Sequence, residues 1–292
     1  MWVSKRKKIP FIFEVRDLWP EVPIALGILN NSLLKYTAKK LELFAYKFSS
    51  HIIALAPGMK DYIVGRGIKE ELITVIQNGC DFDIFGPGIK TEIDELKNEF
   101  KWLKSHKIVL YPGTIGKVNN VEFLVLLAEE LLKRNSDIYF VVIGDGICYN
   151  DVKNLAMQTG VLDNNFFMLG QKLKKEMSSW FQSADIIAVL YNAPEIATKN
   201  SVQNKFFDSI AAGKPVCFDH EGWSVRMLEN MGGAVFITPN DVKKAASILS
   251  DTLANKNWLV KASQASLELA ETHFSRDVLA KKLEKVFIDI YK

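Results

Sequence analysis

Cysteine and histidine are scarce in this chain. The 292 residues contain 3 cysteines and 4 histidines. Cys80, Cys148 and Cys217 are far apart, odd in number and outside any C-x-x-C pair, which excludes a disulfide frame or a zinc site of Cys/His type. An excess of one charge sign is also missing: 37 Lys and Arg face 34 Asp and Glu, for a formal net charge of +3. A nucleic-acid-binding domain would carry a stronger basic excess. No apolar run approaches the ~20 residues of a membrane span. The apolar stretch Ile9–Phe13 is interrupted at once by Glu14, Arg16 and Asp17, so it is too short for a signal-peptide core. No G-x-G-x-x-G opens a helix after a strand, which argues against a dinucleotide-dependent oxidoreductase.

What is present is ordinary globular material, 48% hydrophobic and 24% charged. At roughly 100–200 residues per domain the length suggests two domains. Basic residues cluster at Lys5, Arg6, Lys7 and Lys8, and again at Lys35, Lys39, Lys40 and Lys47. Such a patch can favour an anionic membrane surface; each run alone reads equally well as a solvated face.

Strand-length apolar runs alternate with helical patterns. Strands are expected at 10–15, 51–56, 73–76, 107–111, 138–143, 166–169, 185–190 and 215–218. Helices are expected at 32–49, 57–65, 90–106, 119–134, 150–159, 174–182, 201–211, 224–230, 240–253, 256–272 and 275–291. In the helix at 32–49, Leu33, Leu34, Leu41, Phe44, Ala45 and Phe48 form the apolar side. Gly86-Pro87-Gly88 is a natural bend. The alternation implies an α/β protein with parallel sheets, whose sites lie beyond the carboxyl ends of the strands.

Four stretches lie at such places. Tyr111-Pro112-Gly113-Thr114-Ile115-Gly116-Lys117 joins a strand to a helix. Its glycines allow close backbone approach, the helix start near Asn119 offers free N–H groups to an anion, and Lys117 adds a charge; a plain turn with an exposed lysine accounts for it equally. Ile143-Gly144-Asp145-Gly146 stands in the equivalent place one unit later, with its glycine backbone a candidate pocket wall. In Asn200–Gly213, a 3.6-residue period puts Ser201, Lys205 and Asp208 on one narrow face. Asn200 or Ser201 could cap that helix, and Gly213 with Pro215 would end it. A surface salt bridge between Lys205 and Asp208 is the bland reading. Glu14-Val15-Arg16-Asp17-Leu18-Trp19-Pro20-Glu21 packs acids, an arginine and a tryptophan behind a strand; loop bracing by Arg16 and Asp17 is the alternative.

Taken in order, these stretches resemble the family 4 retaining glycosyltransferases. Ile53–Pro57 with Gly58-Met59, the run Val75–Phe85 with Asn78-Gly79-Cys80-Asp81, and Phe167-Met168-Leu169-Gly170 add to the match, which covers nearly the whole chain. The Val-Arg-Asp-Leu-Trp-Pro-Glu stretch is most similar to a subgroup that builds bacterial surface polysaccharide (O-antigen or capsule), with N-acetylfucosaminyltransferases among its members. The resemblance implies the GT-B fold, two Rossmann-like parallel-sheet domains. Residues 1–86 would form a partial acceptor-side domain, 87–106 a linker, 107–273 the nucleotide-sugar domain, and 274–292 a helix returning toward the N-terminal domain.

The resemblance further implies transfer of a sugar from a nucleotide-diphosphate sugar, with UDP-N-acetyl sugars the expected donors, to a lipid-linked or glycan acceptor. No bound metal is expected. The near-neutral charge predicts no nucleic-acid partner, and the lack of a targeting signal or span predicts a cytoplasmic protein, peripheral to the inner face of the plasma membrane if the basic patches contact lipid. Donor binding falls to Gly113, Gly116, Lys117, Gly144, Gly146, Leu169, Ser201, Lys205 and Asp208. Lys117 and Lys205 would stabilise charge on the leaving diphosphate, and Arg16 and Asp17 would act from the acceptor side.

The chain departs from the family pattern in three places. Of the two glutamates on the donor helix, the second falls on Asp208 and the first on Asn200. The usual Arg and Lys after the first donor-domain glycine fall on Thr114 and Asn119. Members also carry about a hundred further residues before the Val15–Trp19 segment, set against usual domain sizes. The expectation is therefore an incomplete N-terminal domain, either completed by another polypeptide in a donor-binding half-enzyme or left as an inactive remnant. An epimerase of nucleotide sugars is the rival activity on the same architecture.

Overall fold

The computed structural model describes residues 1–89 and 92–291. The chain divides into two compact units. The first comprises 1–79, 193–202 and 273–292, and the second 80–192 and 203–272. Part of the stretch expected to be helical at 90–106 lies outside the described residues; within it, Ile93–Glu99 is α-helical and Lys101–Lys104 forms a 3₁₀ turn.

In the first unit β1 (Ile12–Val15), β2 (His51–Ala54) and β3 (Ile73–Val75) make a parallel sheet in that order. Ile12 pairs with His51, and Ile52 with Ile73. Helix Ser32–Phe48 connects β1 to β2, and its N-cap Asn31 accepts the Leu34 N–H through its side chain at 3.1 Å. Helix Pro57–Gly65 follows β2 with proline in its first turn, where no N–H is needed. Ile53 and Ile76 pack with Leu279 and Val286 of helix Arg276–Tyr291.

The apolar side expected of helix Ser32–Phe48 is buried only in part, at Ala45 and, half-buried against Phe11, at Phe48. Leu33 (69% exposed), Leu34, Leu41 and Phe44 face outward, while Glu42, Ala45 and Tyr46 are buried. Buried Glu42 has polar partners. Its carboxylate accepts from the Tyr46 and Tyr62 hydroxyls and pairs with Arg66 Nη2 at 3.3 Å. These partners offset the cost of burying the charge.

In the second unit six parallel strands run in the order β6-β5-β4-β7-β8-β9. They are β4 (Lys107–Pro112), β5 (Ile138–Ile143), β6 (Phe166–Met168), β7 (Ile186–Val189), β8 (Val216–Phe218) and β9 (Ala234–Phe236). The central strands read as unbroken apolar runs because helices cover both faces of a parallel sheet. Helix Val121–Lys133 buries Val121, Phe123, Leu124, Leu127, Ala128 and Leu131 against Val109, Phe140, Val142 and Ile186. The strand order reverses between β4 and β7, and the carboxyl ends on either side of such a switch form a crevice. β9 has no counterpart among the expected strands: it is three residues long and none of them is fully buried, so no apolar run marks it.

Candidate functional site

A cavity of about 710 Å³ opens at that switch point, wholly within the second unit. Its size is that of a small-molecule site. The end of β4 and its loop supply Pro112, Gly113, Thr114 and Asn119; the end of β5 supplies Ile143, Gly144 and Asp145. The loop after β6 contributes Gln171 to Lys174, and Tyr191 follows β7. Gln203, Asn204, Lys205 and Asp208 close the wall from the helix Asn204–Ala211 and the residue before it.

Two glycines let the β4 and β5 loops touch. A β-carbon on Gly144 would stand 1.8 Å from the Gly113 carbonyl oxygen, and one on Gly146 2.3 Å from that of Ile115. Both carry φ values near +157°, where side chains are strained. Hydrogen bonds then zip the loops together, Gly113 N–H to Ile143 O at 2.8 Å and Ile115 N–H to Asp145 O at 2.9 Å.

Helix Asn204–Ala211 buries Phe206, Phe207 and Ile210, which turns Lys205 and Asp208 to the cavity. It ends in a Schellman motif: Gly213 N–H bonds Ile210 O and Lys214 N–H bonds Ser209 O, both at 3.0 Å. Lys205 Nζ donates to the Tyr111 hydroxyl at 2.9 Å and lies 4.1 Å from the centre of its ring. Burial lowers the Lys205 pKa to about 7, against the opposing pull of Asp219. Asp208 moves the other way, to about 6, chiefly through burial; Lys174 opposes the shift and Asp81 adds to it. Asp81 in turn holds Lys174 Nζ at 2.7 Å. Behind Lys205, buried Asp219 ties three segments together. Its carboxylate accepts from Tyr191 N at 2.8 Å, from Asn120 Nδ2 at 2.7 Å and from the His220 ring at 3.1 Å.

Comparison with known proteins places this geometry in a family. Residues 92–268 match the family model described as "Glycosyl transferases group 1", more than half of the chain, and residues 1–84 match "Glycosyltransferase Family 4". The chain belongs to the group 1 glycosyl transferases. Among relatives of this glycosyl transferase, the alpha-monoglucosyldiacylglycerol synthase of Streptococcus pneumoniae is 22% identical over 295 residues, 99% of this chain and 63% of that protein. The UDP-Gal:alpha-D-GlcNAc-diphosphoundecaprenol alpha-1,3-galactosyltransferase of Escherichia coli is 30% identical over 141 residues, 47% of this chain and 36% of its own length. The chain thus spans less than two thirds of either curated relative. The crystal structure of Anabaena HepE in complex with UDP superimposes with a TM-score of 0.79 at 16% identity, covering 99% of this chain and 74% of that one. The α/β fold with two parallel sheets is the GT-B fold. Among the described residues, no helix is long and apolar enough to cross a membrane.

The glycosyl transferase gathers some of the expected residues into one cavity and leaves others outside. Gly113, Gly144, Lys205 and Asp208 line it. Gly116 and Gly146 shape its loops from behind: Gly116 N–H bonds Asn119 Oδ1, and Gly146 backs onto Ile115. Leu169 bonds Val142 through its backbone and does not line the wall.

Lys117 is exposed and stands off the lining. Ser201 does not share the helix of Lys205 and Asp208. That helix starts at Asn204, its N-cap is Gln203 without a side-chain capping bond, and Ser201 N–H closes the end of helix Glu195–Lys199 on Thr198 O. Ser201 therefore falls in the first unit, as does Asn200, which is buried with its Nδ2 on Ile196 O. Arg16 and Asp17 line a separate 320 Å³ cavity in the first unit with Phe13, Trp19, Leu41 and Tyr46. Burial raises the Asp17 pKa, partly countered by Arg16. Sequence reasoning missed Tyr111 as a polar group, the Asp81–Lys174 pair, and Asp219.

Proposed function

We propose that the second unit binds a nucleotide-diphosphate sugar and that the protein transfers the sugar to a lipid-linked or glycan acceptor in bacterial surface-polysaccharide synthesis. The single observation that carries the reading is the placement of Lys205 and Asp208 in the lining of the switch-point cavity together with the glycine loops at Gly113 and Gly144. The bare loop backbone admits a diphosphate closely, and the Lys205 ammonium stands beside Gly113 to meet its charge. Asp208 offers a carboxylate for ribose hydroxyls. Charge grows on the leaving diphosphate as the glycosidic bond breaks, so a fixed cation stabilises the transition state more than the ground state.

UDP is the favoured nucleotide, because the HepE crystal structure was obtained with it and the Escherichia coli relative is named for a UDP-sugar donor. That relative is also named for a diphosphoundecaprenol acceptor, which supports a lipid-linked acceptor here. The sugar is inferred to be an N-acetyl sugar, as in the subgroup that the Val15–Glu21 stretch resembles. In the first unit, Arg16 and Asp17 are the candidates for the acceptor side.

Calorimetric titration with UDP and UDP-N-acetylglucosamine tests the reading. Binding that Lys205→Ala and Asp208→Ala each weaken about tenfold is expected, the size of one charge-assisted hydrogen bond. Unchanged affinity in both variants would remove this site assignment.

A second reading has one specific observation behind it. Helix Ser32–Phe48 leaves four large apolar side chains, Leu33, Leu34, Leu41 and Phe44, exposed, and exposed apolar clusters mark interaction sites. This face suits a protein whose first unit works with a second polypeptide. Donor binding without transfer by the purified chain, and transfer restored by a co-purifying partner, would favour it.

A further inference from the structure

We infer that Tyr111 is a positioning residue for phosphate binding, holding the Lys205 ammonium over the Gly113 loop; this rests on the donor-site reading above. Tyr111 sits near the carboxyl end of β4 and is completely buried. A phenylalanine would fill the same volume, so packing alone does not account for the hydroxyl. That hydroxyl makes two bonds. It donates its proton to Thr114 O at 2.7 Å and accepts from Lys205 Nζ at 2.9 Å.

The roles follow from the ammonium form of Lys205, the form that a phosphate selects. An ammonium only donates, so the phenol oxygen must accept from it, and the phenol proton is then free for the carbonyl. Burial, reinforced by Asp219 and Glu122, drives the phenol pKa up, which keeps that proton in place. The ring adds a second attraction, since the ammonium stands 4.1 Å from its centroid.

The consequence is directional. Lysine has a long flexible stem, and a phosphate contact from a free lysine costs side-chain entropy. Here one aromatic residue on β4 fixes the far end of a side chain that starts on another element, helix Asn204–Ala211. A β-carbon added to Gly113 would lie 3.8 Å from Lys205 Nζ, so the ammonium stands directly beside the loop. Tyr111 and Lys205 together place a cation at that loop.

The test titrates UDP and uridine into the unaltered chain, Tyr111→Phe, Lys205→Ala and the double variant, with thermal melts confirming that each folds. Tyr111→Phe should weaken UDP binding about tenfold and leave uridine binding unchanged, because uridine has no phosphate. In the Lys205→Ala background the same change should have no further effect on UDP. Three results would overturn the inference: UDP affinity equal to the unaltered chain, an equal loss for UDP and uridine, or a full additional loss when Lys205 is already absent. Failure of the unaltered chain to bind UDP would overturn the donor-site reading, and the inference with it.

Discussion

The α-carbon of Gly144 faces the carbonyl oxygen of Gly113 so closely that a β-carbon there would come within 1.8 Å of it. No side chain can move aside to relieve the clash, because it is with backbone that also bonds Ile143 O. Gly144→Ala is therefore expected to push the β4 and β5 loops apart, costing about 3 kcal/mol or more as an overpacked site and abolishing UDP binding. Gly160 is the control. It also has positive φ, +73°, but open space around its α-carbon, so Gly160→Ala should cost only the backbone strain of about 1 kcal/mol and leave UDP affinity intact. Urea denaturation of the two variants, followed by UDP titration, separates close approach from strain. Equal losses would show that the loop contact matters no more than φ does.

Affinity for a nucleotide-diphosphate sugar should pass through a maximum between about pH 6 and 7. The diphosphate selects the ammonium form of Lys205, whose pKa in the empty site is about 7. Affinity is thus held below that pH and lost as pH rises through it, with proton uptake on binding at higher pH. Asp208 sets the acid limb: its carboxylate form appears above about pH 6 and is lost as pH falls through that value. Calorimetry with UDP-N-acetylglucosamine from pH 5 to 9 would show the two limbs. Lys205→Arg should flatten the alkaline limb, because a guanidinium keeps its charge throughout. A profile with no alkaline limb in the unaltered chain would separate Lys205 from the phosphate.

How much of this was legible in the sequence depends on the range of each interaction. The glycine loops were readable because strand, glycine and helix start lie within a few residues at Tyr111–Lys117 and Ile143–Gly146. Lys205 and Asp208 were readable from helical spacing alone. Ser201 was drawn into the same face by a period that runs on paper through a break, since helix Asn204–Ala211 begins only after an extended step at Gln203. Tyr111, Asp219 and the Asp81–Lys174 pair could not be found that way. Their partners are 94, 99 and 93 residues distant for Lys205–Tyr111, Asn120–Asp219 and Lys174–Asp81, and no local pattern records a contact of that separation. The apolar period of helix Ser32–Phe48 misled in a different way: Ala45 is buried as expected, but Leu33, Leu34, Leu41 and Phe44 are exposed and the charged Glu42 is buried in their place.

Lys205 should also reveal itself by what it costs. Its pKa falls from an ordinary lysine value of 10.5 to about 7 on folding, so the folded chain binds the proton less well than the unfolded one. The penalty is full below about pH 7 and fades as pH rises toward 10.5. Lys205→Met removes the charge and leaves the Tyr111 proton on Thr114 O. At pH 6 it should gain about 1 kcal/mol, as changes that relieve a functional site commonly do, or a Tm higher by about 2–4 °C. The gain should shrink when the melts are repeated at pH 9. A lower Tm at pH 6 would mean that the ammonium stabilises the fold.

Asp219 should behave as an anchor of the cavity wall. Both of its oxygens are occupied by donors, Oδ2 by Asn120 and Oδ1 by Tyr191 N and the His220 ring. Asp219→Asn keeps the shape but removes the charge and turns one acceptor into a donor, so the donors that meet an ionised oxygen lose that partner. The expected loss is about 2 kcal/mol, typical of a buried polar group left unsatisfied, read as a lower urea midpoint at unchanged slope. In an Asn120→Ala background the loss should be smaller, because one of the competing donors is gone. The same loss in both backgrounds would dissociate Asp219 from Asn120.

The helix Ser32–Phe48 offers a stability contrast between two neighbours. Phe44 is exposed and Ala45 is buried, one residue apart. If the apolar stripe were this unit's core, Phe44→Lys would be the damaging change, removing a large side chain for about 3–5 kcal/mol. The described packing reverses the order. Phe44→Lys should stay within about 0.5 kcal/mol, as surface substitutions do, whereas Ala45→Asp places a charge against Phe13 and Tyr46 in the wall of the 320 Å³ cavity, where an unpaired charge is costly. Thermal melts of the two variants decide it. A large loss from Phe44→Lys would mean that the stripe is covered in the folded protein, and light scattering across a concentration series would then show whether a second copy of the chain covers it.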